Sequence, residues 1–285
     1  MAKQRLGGKL MNQIYSILNT ILPFDWLNYD FMKNAFLAVL LITPIFAILG
    51  TIIVNNRMAF FSDALGHGAF TGIAIGTAIG IISPMWSAVV FSIAFSVLIT
   101  IAKNKTRTST DTVIGVFSSA AIALGLVIIN ASKYSSLFIG DLLSISSEEV
   151  GVLFVLAILV IVLWIVFYNK VLLVSLNQSL ARSRGINTLA VEMILTSLIA
   201  VVVTICIQWV GLLIINSLLV LPAAAARNVS TNAKQYNLVA LIVSIVSGVV
   251  GLILSYYFDM ATGATIVIVS AVIYFITLAL RKRFA

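Results

Sequence analysis

Apolar runs of about 18 or more residues recur along this chain, separated by short polar connections, and each run is long enough to cross a bilayer as a helix. They predict nine spans, near residues 33–54, 58–80, 85–102, 112–130, 149–168, 188–208, 211–226, 236–257 and 263–280. The expected fold class is all-α, a polytopic helical membrane bundle forming one transmembrane domain over 31–285. Residues 1–30 break the pattern, because Asn12, Gln13, Asn19 and Asp25 interrupt any apolar run. They also lack the charged start, apolar core and small-residue cleavage site of a signal peptide. The stretch 10–22 reads as an amphipathic helix lying at the membrane interface, with Trp26 and Tyr29 as headgroup-level anchors.

Composition agrees with the pattern. The chain is 61% hydrophobic and 9% charged, with a mean hydropathy of +1.16, whereas a soluble domain carries about 25% charged residues. No room is left for a second, soluble domain. The net charge of +8 is explained by cytoplasmic loops facing anionic lipid rather than by nucleic acid. Basic residues cluster at Lys103, Lys105 and Arg107, at Lys170, Arg182 and Arg184, and at Arg281, Lys282 and Arg283, with Arg57 and the Arg227/Lys234 pair adding two more sites. Nine spans put all of these on one side, which defines the cytoplasmic face. Cys206 is the single cysteine and lies in an apolar run, so no disulfide within the chain can form.

Chemistry concentrates in 57–82. His67 is the only histidine of 285 residues and follows Asp63 by four positions, a spacing that stacks both side chains on one helix face. A charged Asp in the middle of a membrane helix costs roughly 2.5–3.5 kcal/mol. An ionisable residue there is a functional candidate by default, and uncharged Ser, Thr or Asn usually serve as polar glue. At 1.5 Å per residue Asp63 and His67 lie about 9 and 15 Å beyond Arg57, near mid-bilayer. Carboxylate and neutral imidazole together are half of a site for a divalent transition metal such as zinc, manganese or iron. Thr71 continues this stripe as a candidate pathway residue. Gly68, Gly72, Gly76 and Gly80 recur every fourth residue one position, about 100°, around the helix, and small residues at that spacing let two membrane helices touch.

The remaining acids carry less. Asp141, Glu148, Glu149 and Asp259 fall in outer connections and are expected to be solvated. Glu192 follows a cytoplasmic loop near the start of a span, where an acid favours the helix dipole.

The segment Asp63-Ala-Leu-Gly-His67 resembles the Asp-Ala-x-Ser-His segment of the zinc/manganese permeases of ATP-binding-cassette importers, the high-affinity metal-uptake class. The resemblance continues through Asp111-Thr-Val-Ile-Gly-Val-Phe-Ser-Ser, Leu137-Phe-Ile-Gly-Asp-Leu-Leu, the run from Val210 to Arg227, and the run from Ser255 to Val267. It departs at Gly66, where Ser is usual beside the histidine, at Asn177, where an acid is common, and at Ala261, where Pro is common. The resemblance implies a multi-pass permease of the bacterial plasma membrane that works as a homodimer. Its implied partners are two cytoplasmic ATP-binding subunits and an extracellular metal-binding protein. Asp63 and His67 would contact a transported Zn²⁺ or Mn²⁺, with no permanently bound cofactor. No Gly-x-x-x-x-Gly-Lys-Ser/Thr stretch occurs in the chain, so the ATPase activity is expected in a partner and not here. Within a cytoplasmic loop at 170–187, the stretch from Leu176 to Gly185 reads as a short helix closed by glycine. Its position resembles the element that docks into the ATPase, with Ala181 and Gly185 allowing close approach and Arg182 and Arg184 facing the partner. An ion-coupled secondary metal carrier and a permease for a metal chelate are the alternatives. The chain lacks an obvious inverted repeat of the kind many secondary carriers display.

Overall fold

The structure is a computed structural model that describes residues 15–16, 25–81, 83–128, 140 and 142–281. Ten α-helices occur among these residues: α1 (Asp30–Asn55), α2 (Phe61–Ala78), α3 (Pro84–Lys105), α4 (Thr110–Ile128), α5 (Ser147–Leu176), α6 (Gln178–Ser183), α7 (Thr188–Val210), α8 (Leu212–Val229), α9 (Ala233–Phe258) and α10 (Thr262–Leu280). Two short 3-10 turns, Asp25–Asn28 and Leu142–Ser144, precede α1 and α5. The interfacial helix expected at 10–22 lies outside the described residues apart from Tyr15 and Ser16, and so does Asp141.

Seven of these helices, α1, α3, α4, α5, α7, α9 and α10, are long and apolar enough to cross a membrane. This corrects the expected nine. The sequence stretches assigned to spans two and seven do form helices, α2 and α8, but neither qualifies. In α2 the polar Ser62, Asp63, His67 and Thr71 and the glycines dilute the apolar content. In α8 the apolar part is only Ile214–Val229. Both helices are surrounded by others: α2 packs on α3, α4, α7 and α8, and α8 packs on α1, α2, α7, α9 and α10. A helix enclosed by protein needs no continuous apolar surface, because its neighbours rather than lipid meet its side chains.

The helix ends sort by charge. At one end Arg227 Nη1 donates to Asn55 Oδ1 at 3.0 Å, Lys103 Nζ lies 3.9 Å from Met58 Sδ, and Lys103 and Asn104 of α3 reach Glu192 of α7. At the other end Asn34 Nδ2 donates to the Ile145 carbonyl and the Trp209 indole N–H donates to Glu149 Oε1 at 2.7 Å. The first end carries the basic side chains of Arg227 and Lys103. Two outer-end expectations change. Trp26 is buried, edge-on to Phe36 at 5.6 Å, so it is a core residue and not a headgroup anchor. Glu149 is not simply solvated: besides Trp209 it receives the Ser146 backbone N–H and hydroxyl, closing a capping box at the start of α5.

α5 continues to Leu176, so 170–176 is helix and the connection expected at 170–187 contracts to 177–187. Asn177, where the resembled family favours an acid, caps α6 by accepting the Leu180 N–H at 3.0 Å. Ala261 holds φ −58 ahead of α10, a value within proline's fixed range, which explains why Pro is also suitable there.

Close helix contact depends on particular glycines. A Cβ on Gly50 of α1 would lie 2.0 Å from the Leu219 carbonyl oxygen of α8, and backbone cannot swing aside as a side chain can. Gly50→Ala is therefore expected to destabilise the detergent-solubilised protein by about 1–3 kcal/mol, read as a lowered thermal midpoint. Gly115→Ala on α4 is the control, since nothing lies within 4 Å of a Cβ there; equal midpoints for the two variants would refute the close-contact account.

Candidate metal site

α2 is built to show one polar face and bury the rest. Its small side is consumed by α3 of the same chain. A Cβ on Gly68 would meet Phe95 at 2.9 Å, one on Gly72 would meet the Ala88 Cα at 2.8 Å, and one on Gly76 would meet Ser87 Oγ at 2.0 Å. The glycine stripe thus acts inside the protomer and is not free to pair two copies, as a dimer contact would require. Gly80 does not join it. It lies beyond the helix end at φ +81 with nothing within 4 Å of a Cβ position, a left-handed conformation that glycine adopts without steric cost.

Asp63 stands in the first turn of α2 and His67 one turn further, with His67 Nε2 3.5 Å from Asp63 Oδ2. The carboxylate's other oxygen, Oδ1, accepts the Asn216 side-chain N–H from α8 at 2.9 Å. An ionised carboxylate only accepts, so the amide nitrogen must face it and the amide oxygen must face away. Asn216 Oδ1 is buried and makes no hydrogen bond to any described residue. It is an amide oxygen close to the pair but turned from the carboxylate, of a donor type suited to a hard divalent ion. Sequence reading missed Asn216. It sits within the run from Val210 to Arg227 that carries the strongest resemblance, but one uncharged Asn in an apolar helix gave no signal of facing Asp63.

The exposure of this face is the decisive geometry. The Asp63 side chain is 39% exposed and that of His67 13%. Along the first turns of α2 the Asp63 carboxylate is part-exposed, His67 is mostly enclosed, and Ser62, Leu65, Gly66 and Phe70 are buried; Phe60, just ahead of the helix, is exposed. Thr71 continues the stripe but is fully buried. Its hydroxyl lies 3.0 Å from the His67 carbonyl and 2.6 Å from the Ala121 carbonyl of α4, tying α2 to α4. Among the described residues no group of three or more His, Cys, Asp and Glu converges. The chain alone therefore offers two such ligands and one amide oxygen.

The stretch around α6 changes one assignment. Ala181 is wholly buried with Ile52, Val171, Val174 and Val191, so it packs α6 onto its own chain and offers no close approach to a partner. Every residue of α6 except Ala181 is exposed, including Leu180 and Arg182, as is Arg184 just after it, and Gly185 ends the turn at φ +73. Arg182 Nε also donates to Thr188 Oγ1 at 3.3 Å. Leu176 ends α5 just before α6.

Gly66, the departure beside His67, has a local reason. A Cβ there would lie 2.1 Å from Leu212 Cδ1 at the start of α8. Gly66→Ser is expected to cost about 1–3 kcal/mol by overpacking, seen as a lower thermal midpoint. Adding Leu212→Ala should recover part of it; a double variant less stable than the sum of the two singles would show that the two positions do not compete for space.

A family model described as the ABC 3 transport family matches residues 28–281. The manganese transport system membrane protein MntC of Listeria innocua is 30% identical over 254 residues, 88% of this chain and 90% of that protein. The high-affinity zinc uptake system membrane protein ZnuB of Buchnera aphidicola is 30% identical over 247 residues, 85% of this chain and 94% of that protein. Among solved structures, PsaBC from Streptococcus pneumoniae in complex with Fab superposes with a TM-score of 0.76 at 24% identity, covering 87% of this chain and 91% of that one; this likeness concerns the fold.

Proposed function

The chain belongs to the ABC 3 transport family, and on that premise we propose that it is the permease subunit of an importer that moves Zn²⁺ or Mn²⁺ into a bacterial cell. It is a multi-pass membrane protein with helices suited to crossing the bilayer. Relatives named for manganese and for zinc transport both align along most of its length, which supports a divalent transition metal as cargo. The observation that carries the reading is the part-exposed Asp63 carboxylate of α2 with His67 beside it. A carboxylate turned out of a membrane bundle needs water, a cation or a second protein surface. Two copies set with these faces toward a common axis would enclose a path lined by two carboxylates, two imidazoles and two Asn216 amides. Such a mixed set holds a partly dehydrated metal and still releases it, as a transport site must.

Energy comes from partners in this reading. Two cytoplasmic ATP-binding subunits dock under the permease pair, and α6 meets them through exposed Leu180, Arg182 and Arg184. An extracellular metal-binding protein delivers the ion at the opposite end. A secondary carrier is disfavoured by family membership, and a chelate permease by a pair of small ligands on adjacent turns.

Asp63→Ala and His67→Ala are each expected to abolish metal uptake in cells while the permease still co-purifies with its ATPase. Asn216→Ala should weaken metal binding by about 10- to 100-fold, the usual effect of losing a group that orients a ligand. Radioactive or fluorescent metal uptake with a pull-down reads both. Normal uptake by both alanine variants of the pair would make Asp63 and His67 structural.

A further inference from the structure

Outside the metal site, a buried carboxylate that ties three helices together is Glu192 of α7. Sequence placed it as an acid favouring the helix dipole, yet the structure gives it a different occupation. It is the fifth residue of α7 and is 6% exposed. Both carboxylate oxygens are engaged, and the donors come from two other helices. Gln178 Nε2 of α6 donates to Oε1 at 2.9 Å. Asn104 Nδ2 of α3 donates to Oε2 at 2.8 Å, and Lys103 Nζ stands 3.5 Å from the same oxygen. A buried carboxylate held in this way is costly to leave half-satisfied, so the three helices that hold it must move together or break the set.

The connections run on from there in both directions. Lys103 Nζ lies 3.9 Å from Met58 Sδ, and the Met58 carbonyl accepts the N–H of Phe61, the first residue of α2. Asp63 follows two residues later. One turn above Glu192, Thr196 and Thr100 share a hydroxyl hydrogen bond at 2.9 Å, repeating the α3–α7 link. α3 in turn receives the glycine side of α2. Below, Gln178 is the first residue of α6, the element bearing exposed Leu180 and Arg182.

We infer that Glu192 is a positioning residue that joins the ATPase-facing helix α6 to α3 and, through Lys103 and Met58, to the base of the metal-bearing helix α2. The inference rests on the reading of α6 given under Proposed function. Glu192 touches neither metal nor nucleotide; it keeps displacement at α6 in register with displacement at α2. Spatial succession alone does not establish coupling, so the test must measure coupling itself.

The experiment uses the whole complex, permease with its ATP-binding subunits in proteoliposomes, and reads Zn²⁺ or Mn²⁺ transported per ATP hydrolysed. Loss of folded protein lowers both rates together and leaves that ratio unchanged, so the ratio separates positioning from stability. Glu192→Gln keeps the side-chain volume while removing the charge that holds Lys103. ATP consumed per metal ion is expected to rise at least about fivefold, the lower range of ordinary inter-site coupling. Gln178→Ala cuts the same chain from the exposed α6 side, so it remains informative where Glu192→Gln assembles poorly. It should raise the ATP consumed per metal ion similarly, and the double variant should match the stronger single variant because both break one connection. Wild-type ratios in Gln178→Ala, or fully multiplicative effects in the double variant, would overturn the inference while leaving the transport reading intact. A wild-type complex that hydrolyses ATP without moving metal would overturn both.

Discussion

An ionised carboxylate within a bilayer-spanning bundle has to be met by donors or by a cation, and the arrangement around Asp63 is organised by that demand. One oxygen is answered by the Asn216 amide from α8 and the other faces His67. The remaining coordination capacity opens on the unpacked face of α2. Hydrogen bonds to ionised groups are roughly twice as strong as neutral ones, so the Asn216 bond fixes the carboxylate's orientation. Such preorganisation is what allows a transient site to bind without reshaping the protein.

That face stays open because every other side of α2 is held. Glycines bring α3 close enough for side chain to touch backbone, Thr71 ties α2 to the Ala121 carbonyl of α4, and Gly66 leaves room for Leu212. α8, which supplies Asn216, is pinned against α1 where Gly50 meets the Leu219 carbonyl. The polar pair therefore rides on a scaffold whose tolerances are set by missing methyl groups. Such contacts transmit small displacements, since packed interiors deform little before they switch arrangement.

Much of this was legible in the chain. Every predicted span coincides with a helix because apolar runs of that length have few other options in a membrane. The Asp63/His67 stacking followed from helical spacing alone. Periodicity, however, reports which residues share a face and not what covers it. The glycine stripe was read as a surface for helix contact; the structure sets Gly68, Gly72 and Gly76 against α3 of the same chain and leaves Gly80 beyond the helix end. For the same reason Ala181 looked like an approach point for a partner and is instead buried against Val171 and Val174. α2 is too polar and the apolar part of α8 too short for a span, and both are enclosed by neighbouring helices, a tertiary fact that local hydropathy cannot carry. Asn216 and Glu192 were under-read for a shared reason: their partners lie 153 and 88 residues away in sequence, in Asp63 and Asn104.

The central claim is that the metal contacts His67 on its way through. Because His67 is the only histidine in the chain, an imidazole ligand supplied by the permease can come from nowhere else. X-ray absorption at the zinc edge of the Zn²⁺-loaded permease, purified without a histidine tag, measures this directly. The account predicts the multiple-scattering signature of imidazole in the wild type and its loss in His67→Ala. A wild-type spectrum without imidazole, or an unchanged spectrum in the variant, would contradict it.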